Sequence, residues 1–220
     1  MNRFLRGLIL GGWLLVGAGS LAQQHGQANE HMNRSAFADL VASFESPDRA
    51  AWQKPDEVVA ALGDLAGKTV MDIGSGTGYF SFRLAAAGAK VICGDVDERF
   101  LEHIAARKAE LGLSDAQMEL RKLPYDSSRL APGEADLVLI VDTYHHIEDR
   151  VDYFSEVKAG LKPGGRLVVV DFFKRDVPVG PPVGMKLDEQ TIVDELRRAG
   201  FQQFEIDGDL LPYQYIIFAS

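Results

Sequence analysis

One cysteine, Cys93, is found among 220 residues, and it sits in an apolar run. A lone thiol excludes a disulfide framework and a cysteine-based zinc site, and its surroundings mark it as buried and inert. Runs of lysine and arginine are also absent: 23 basic residues face 32 acidic ones, for a formal net charge of −9. A field of that sign repels a phosphate backbone, so no nucleic-acid partner is expected. No internal repeat is present, and no apolar run reaches the roughly 20 residues that span a bilayer.

What is present first is a leader. Arg3 and Arg6 precede an apolar stretch from Leu8 to Ala18, and Ser20-Leu21-Ala22 supplies the small side chains that a signal peptidase accepts. Residues 1–22 therefore read as a signal peptide, whose removal takes the charge from −9 to −11 because it holds two arginines and no acid. The expectation is export, to a periplasm or beyond, with no stable membrane span after cleavage; an uncleaved anchor is the alternative. Residues 23–34 are polar and aperiodic, a flexible segment in which His25 and His31 are solvated.

Residues 35–220 form one domain, with 46% of the chain hydrophobic and enough apolar material for one core. Two amphipathic stretches between Ser35 and Leu65, broken by Ser46-Pro47 and Lys54-Pro55, give N-terminal helices over 35–66. Over 67–220 strand-like runs (Thr69 to Ile73, Lys90 to Asp95, Gln117 to Arg121, Leu137 to Val141, Arg166 to Phe172) alternate with helical patterns at Tyr79 to Ala87, Glu98 to Leu111, Asp149 to Leu161 and Glu189 to Ala199. Such alternation specifies βαβ crossovers and a mostly parallel sheet. Phe201 to Asp207 and Tyr213 to Phe218 are joined too closely to be anything but an antiparallel pair. The loop Arg175 to Gly184 follows a strand's carboxyl end, a natural place for a substrate cover.

Between the first strand and its helix, Val70-Met71-Asp72-Ile73-Gly74-Ser75-Gly76-Thr77-Gly78-Tyr79-Phe80 sets three glycines at alternate positions. Glycine there lets the backbone turn sharply and approach a ligand with no Cβ in the way. A dinucleotide fingerprint wants glycine or alanine where Tyr79 stands.

The segment is instead similar to the first motif of class I S-adenosylmethionine (SAM)-dependent methyltransferases. The resemblance runs from about Trp52 to Ser220 and includes Val91-Ile92-Cys93-Gly94-Asp95, Lys162-Pro163-Gly164-Gly165 and the end of the last helix. It implies a Rossmann-like, doubly wound α/β sheet of seven strands, parallel except for an antiparallel last strand. It also implies that Asp72 places the charged amino-acid end of SAM and that Asp95 accepts from both ribose hydroxyls. The implied cofactor shell is Asp72, Gly74, Ser75, Gly76, Gly78, Tyr79, Asp95, Val96, Leu123 and Asp142. Many relatives carry an acid after the third strand, whereas this chain has Arg121-Lys122-Leu123-Pro124, leaving adenine to backbone and Leu123. Arg49, Trp52 and Gln53 lie where related enzymes cover the cofactor.

Methyl transfer asks the protein mainly for positioning and, for some nucleophiles, a base. Asp142, Tyr144, His145 and His146 follow the fourth strand and are the catalytic candidates; a histidine can accept a proton near neutral pH. Either histidine can equally cap the turn. A metal shared by Asp142 and Asp171 is not expected, since the catechol-type enzymes want asparagine where Phe172 stands. The absence of proline after Asp142 argues against base-amine methylation. Two functions stand side by side: a methyltransferase acting on a small molecule or an envelope component, and a catalytically silent SAM or nucleoside binder of the same fold. Oligomeric state and acceptor have no signature in the sequence.

Overall fold

The computed structural model describes residues 35–220, so the signal peptide expected over 1–22 and the segment expected over 23–34 lie outside the described residues. Three helices open the described residues where two amphipathic stretches were expected: α1 (Phe37–Phe44), α2 (Arg49–Gln53) and α3 (Pro55–Ala61). The additional helix, α2, lies between the two expected breaks; at the second, Lys54 ends α2 with a left-handed backbone (φ 43°), and Pro55 supplies the preset φ of the first position of α3.

A seven-stranded sheet follows, built from β1 (Thr69–Ile73), β2 (Lys90–Asp95), β3 (Met118–Lys122), β4 (Ala135–Val141), β5 (Leu161–Phe172), β6 (Phe204–Asp207) and β7 (Gln214–Ala219). Its order is β3-β2-β1-β4-β5-β7-β6. β7 runs antiparallel to both β5 and β6, and the other neighbours are parallel. Helices α4 (Ser81–Ala86), α5 (Glu98–Glu110), α6 (Arg150–Gly160) and α7 (Glu189–Arg198) make the crossovers.

The central strands are apolar on both faces because both faces are covered. Met71, Ile140, Phe154, Leu196 and Tyr215 lie in one core cluster, and Val58, Leu84, Ile104, Leu137 and Val168 in the other. Two helix starts are fixed by their caps. Asp97 accepts from Arg99 N at 3.0 Å to begin α5, and Asp188 accepts from Thr191 N at 2.8 Å to begin α7. Basic residues close both last turns, Arg107 and Lys108 in one and Arg197 and Arg198 in the other, as the helix dipole favours.

Some boundaries move. α4 begins at Ser81 rather than Tyr79, because the glycine turn continues through Phe80. β5 begins at Leu161, pairing with Ala135 before a register shift, so Lys162 to Gly165 belong to the strand. β6 begins at Phe204, since Phe201 N bonds back to Leu196 O at 3.1 Å and closes α7. Among the described residues no helix is long and apolar enough to cross a membrane. From β1 the order runs outward to β3 and then returns across β1 to β4. The crevice at the carboxyl ends of β1 and β4 is therefore the topological switch point, where ligands bind in such sheets.

Candidate cofactor and acceptor site

The glycine loop leaves β1 with positive φ at Gly74 (73°), Gly76 (53°) and Gly78 (80°). Backbone bonds hold its shape: Gly74 N and Ser75 N donate to Gly94 O at 2.8 and 3.1 Å, and Gly78 N to Ser75 O at 2.8 Å. A Cβ on Gly74 would collide with the Thr143 side chain, and one on Gly76 would lie 3.3 Å from Phe44 Cδ2. Thr143 and α1 therefore close directly over the loop.

Two buried carboxylates flank it. Asp72 Oδ2 accepts from Ser81 Oγ at 2.6 Å. Asp95 accepts from Gly76 N through Oδ2 and from Asp97 N through Oδ1, both at 2.8 Å. Burial pushes each acid up to about 6 against its hydrogen bonds; the neighbouring Asp95 charge adds to the rise at Asp72, and Asp97 adds to it at Asp95. Ser75 Oγ and Thr77 Oγ1 are buried within the same loop and have no hydrogen-bond partner among the described residues. Orphaned hydroxyls are uncommon in a folded interior and mark a surface made for a polar ligand.

Val96 and Leu123 lie at the far end of the crevice. Leu123 N donates to Asp95 O at 2.9 Å, and Leu123 Cδ1 would be 2.8 Å from a Cβ on Gly94, so its side chain packs beneath the end of β2. Val96 is half-buried, and its carbonyl accepts from Lys122 Nζ.

Asp142, in the left-handed region at φ 54°, receives three residues from elsewhere in the chain. Gln53 Nε2 donates to it at 2.9 Å, Gln214 Nε2 donates to its other oxygen, and Arg49 Nη2 lies 3.5 Å away. Gln53 also bonds Gln214 at 2.9 Å. The Arg49 guanidinium sits 4.2 Å from the Tyr79 ring centroid, and Arg83 sits at the same distance from that ring. These contacts fasten α2 across the crevice. Burial raises the Asp142 carboxyl while Arg49 and Gln53 pull it down, leaving it above the ordinary range.

A single 3-10 turn, Tyr144–His146, follows. Tyr144 is fully buried, stacks on Phe154 with centroids 4.6 Å apart and donates its hydroxyl to Glu195 at 2.9 Å. That carboxylate also holds Arg150 at 2.7 Å, so the tyrosine ties the turn to α6 and α7. His145 Nδ1 lies 3.0 Å from both oxygens of Asp171, at the end of β5. Burial lowers its pKa, but the Asp171 bond and the Asp171 and Asp142 charges outweigh that and leave it raised. The His146 ring packs against His145 at 4.3 Å. Among the described residues no group of three or more His, Cys, Asp or Glu side chains is arranged to hold a metal ion.

Residues 71–169 match the family model described as a methyltransferase domain. The fold is that of a SAM dependent methyltransferase from Aquifex aeolicus, with a TM-score of 0.77 over 84% of this chain and 98% of that one at 23% identity. The chain carries a methyltransferase domain on the fold of class I SAM-dependent enzymes. Magnesium protoporphyrin IX methyltransferase from Synechocystis, solved with bound SAM, is similar at a TM-score of 0.58 and 25% identity over 76% of this chain and 77% of that one. A curated relative, the tRNA U34 carboxymethyltransferase of Marinobacter nauticus, is 30% identical over 157 residues, 70% of this chain and 44% of the relative. The chain thus spans less than half the length of the curated relatives it matches.

In this methyltransferase domain the residues suit SAM: a loop with no side chain in the way, orphaned hydroxyls at Ser75 and Thr77, one carboxylate to meet a cation and another with lone pairs left for a vicinal diol. Sequence reasoning did not find Phe44, Ser81, Thr143 or Gln214. Ser81, nine positions after Asp72 at the start of α4, was within reach of a helix-register argument. Phe44 and Gln214 reach the site only through tertiary packing.

Proposed function

We propose that the protein transfers a methyl group from SAM to a small-molecule or envelope acceptor. The supporting observation is the loop itself, in which two buried carboxylates and two orphaned hydroxyls surround a backbone cleared by Gly74, Gly76 and Gly78. SAM supplies an activated methyl on a sulfonium, which makes a strong enzymic nucleophile unnecessary. Asp72 meets the cofactor's ammonium, Asp95 its ribose, and Gly74, Ser75, Gly76, Gly78 and Tyr79 line its path, with Val96 and Leu123 at the adenine end. Asp142 orders α2 over the crevice.

His145 acts where the acceptor must lose a proton. Its Nδ1 is given to Asp171, so the proton is taken at Nε2. His146 packs on that ring, and Tyr144 fixes the turn through Glu195. The acidic balance favours a small molecule over the tRNA that appears in the relatives' names. Retention of the whole constellation favours transfer over silent binding. Incubation with methyl-labelled SAM and separate pools of metabolites, envelope extract and tRNA tests this: label in the metabolite or envelope pool supports the reading, and label confined to tRNA, or in none, overturns it.

The reading includes export, on the strength of Arg3, Arg6 and the apolar stretch ending at Ala22. A mature chain beginning near Gln23 in the envelope supports it; an intact Met1 in the cytosol contradicts it.

A further inference from the structure

We propose that Lys186 is the recognition group for a carboxylate on the methyl acceptor, and that the half-buried Trp52 ring, backed by the buried Phe172, forms the aromatic floor beside which the acceptor's body rests. The proposal deepens the methyl-transfer reading and rests on it.

Lys186 is 2% exposed, yet among the described residues no carboxylate lies within ion-pair distance of it. Its Nζ has one acceptor, Arg175 O at 2.9 Å, and stands 5.6 Å from the Phe172 ring centroid. An ammonium has three N–H donors, so two remain. Four other shielded cations have an acid, Lys108 with Asp115, Arg49 with Asp142, Arg121 with Glu134 and Arg150 with Glu195, and the half-buried Lys54 and Arg166 rest on carbonyls but are less shielded than Lys186. A buried charge without a countercharge is costly, and proteins keep one where a ligand supplies the other half.

The surroundings give that ligand a shape. Trp52 of α2 packs on Phe172 with centroids 5.8 Å apart, and Tyr213 lies 6.5 Å beyond Trp52. The loop between β5 and α7 folds back over Phe172 and buries it, leaving Trp52 as the partly open ring. Gly180, at φ 89°, brings backbone so close that a Cβ there would sit 2.6 Å from Phe172 Cε1. The floor adjoins the crevice, because Gln53, next to Trp52, bonds Asp142, and Asp171, next to Phe172, holds His145. Arg175 on the same loop lies over the Phe173 ring at 4.3 Å, and it too has no carboxylate among the described residues. In a chain of net charge −9, a buried cation without a carboxylate partner on this loop selects an anion; Arg175 is exposed and adds only a solvated charge.

Benzoate carries a carboxylate on an aromatic ring, and benzamide is its neutral counterpart. Calorimetric titration of the full chain should show benzoate binding about tenfold or more tightly than benzamide, the contrast erased in Lys186→Met. Equal affinities, absence of benzoate binding, or a folded Lys186→Met that keeps wild-type affinity for benzoate would overturn the proposal. The benzoate and benzamide contrast in the wild type decides the matter even if the variant fails to fold. Titration of the wild type with SAM on the same preparation separates the two readings: loss of SAM binding removes the transfer reading, whereas loss of the benzoate preference removes only this one.

Discussion

Gln53 Nε2 donates to Asp142 Oδ2 at 2.9 Å across 89 positions of sequence, and that bond joins the helical cap to the end of β4. Gln53 is fully buried, and its amide serves Asp142 and Gln214 together. Gln53→Leu keeps the volume and removes these two bonds and the one that Gln53 Oε1 accepts from Arg49 Nε, leaving polar groups buried with fewer partners at a cost of roughly 1 to 3 kcal/mol. Thermal unfolding should show the midpoint lowered by several degrees, with α1 and α2 losing hydrogen-exchange protection before the sheet does. An unchanged midpoint would mean that the cap is held by the aromatic contacts alone.

Asp72 and Asp95 give the protein an unusual pH dependence. Both carboxyls lie at about 6 in the folded state against 3.8 ordinarily, because burial disfavours the charge. The folded protein therefore holds more protons than the unfolded chain between those values, and stability falls as pH rises through that window. The acids held low by their partners, Asp97 and Glu134 among them, act oppositely and further down the scale. Asp72→Asn removes one of the two groups. Relative to wild type it should gain on the order of 1 to 3 kcal/mol between pH 4 and pH 6 in denaturant unfolding. A difference curve flat in pH would contradict the burial argument.

His145 offers the opposite sign. Its folded pKa is raised above 6.5, so the stability contributed by its pairing with Asp171 is fully present below that value and lost as pH rises through the higher folded one. An NMR titration of the ring should place the wild-type midpoint above 6.5. In Asp171→Asn, where burial stays and the charge goes, the midpoint should fall below 6.5. A midpoint that does not move would remove Asp171 from the role of orienting His145.

The parts of the fold written in local pattern were legible from the chain alone. Strands β1 and β2 run over the residues their apolar runs marked, and α5 and α7 start one residue after the acids that cap them. Boundaries set by tertiary bonds were not legible: Leu161 enters β5 because Ala135 is beside it, and Phe201 leaves β6 because it closes α7. The site divides in the same way. Asp72, Asp95 and the three glycines lie within 24 residues of one another and announce themselves by spacing. The Gln53, Asp142 and Gln214 cluster joins residues 161 positions apart at its widest, and a buried lysine such as Lys186 is indistinguishable in sequence from a solvated one.

Calorimetric titration with SAM of wild type and Asp95→Ala, both checked as folded, tests the central claim most directly. Asp95 offers hydrogen-bond acceptors from inside the crevice and also holds Gly76 N, so its loss removes ribose contacts and loosens the loop together. The account predicts saturable one-to-one binding by the wild type, weakened in the variant by roughly 1.5 to 3 kcal/mol, the range for hydrogen bonds to a charged group. No heat from the folded wild type at millimolar SAM, or equal affinity in the two proteins, would contradict it.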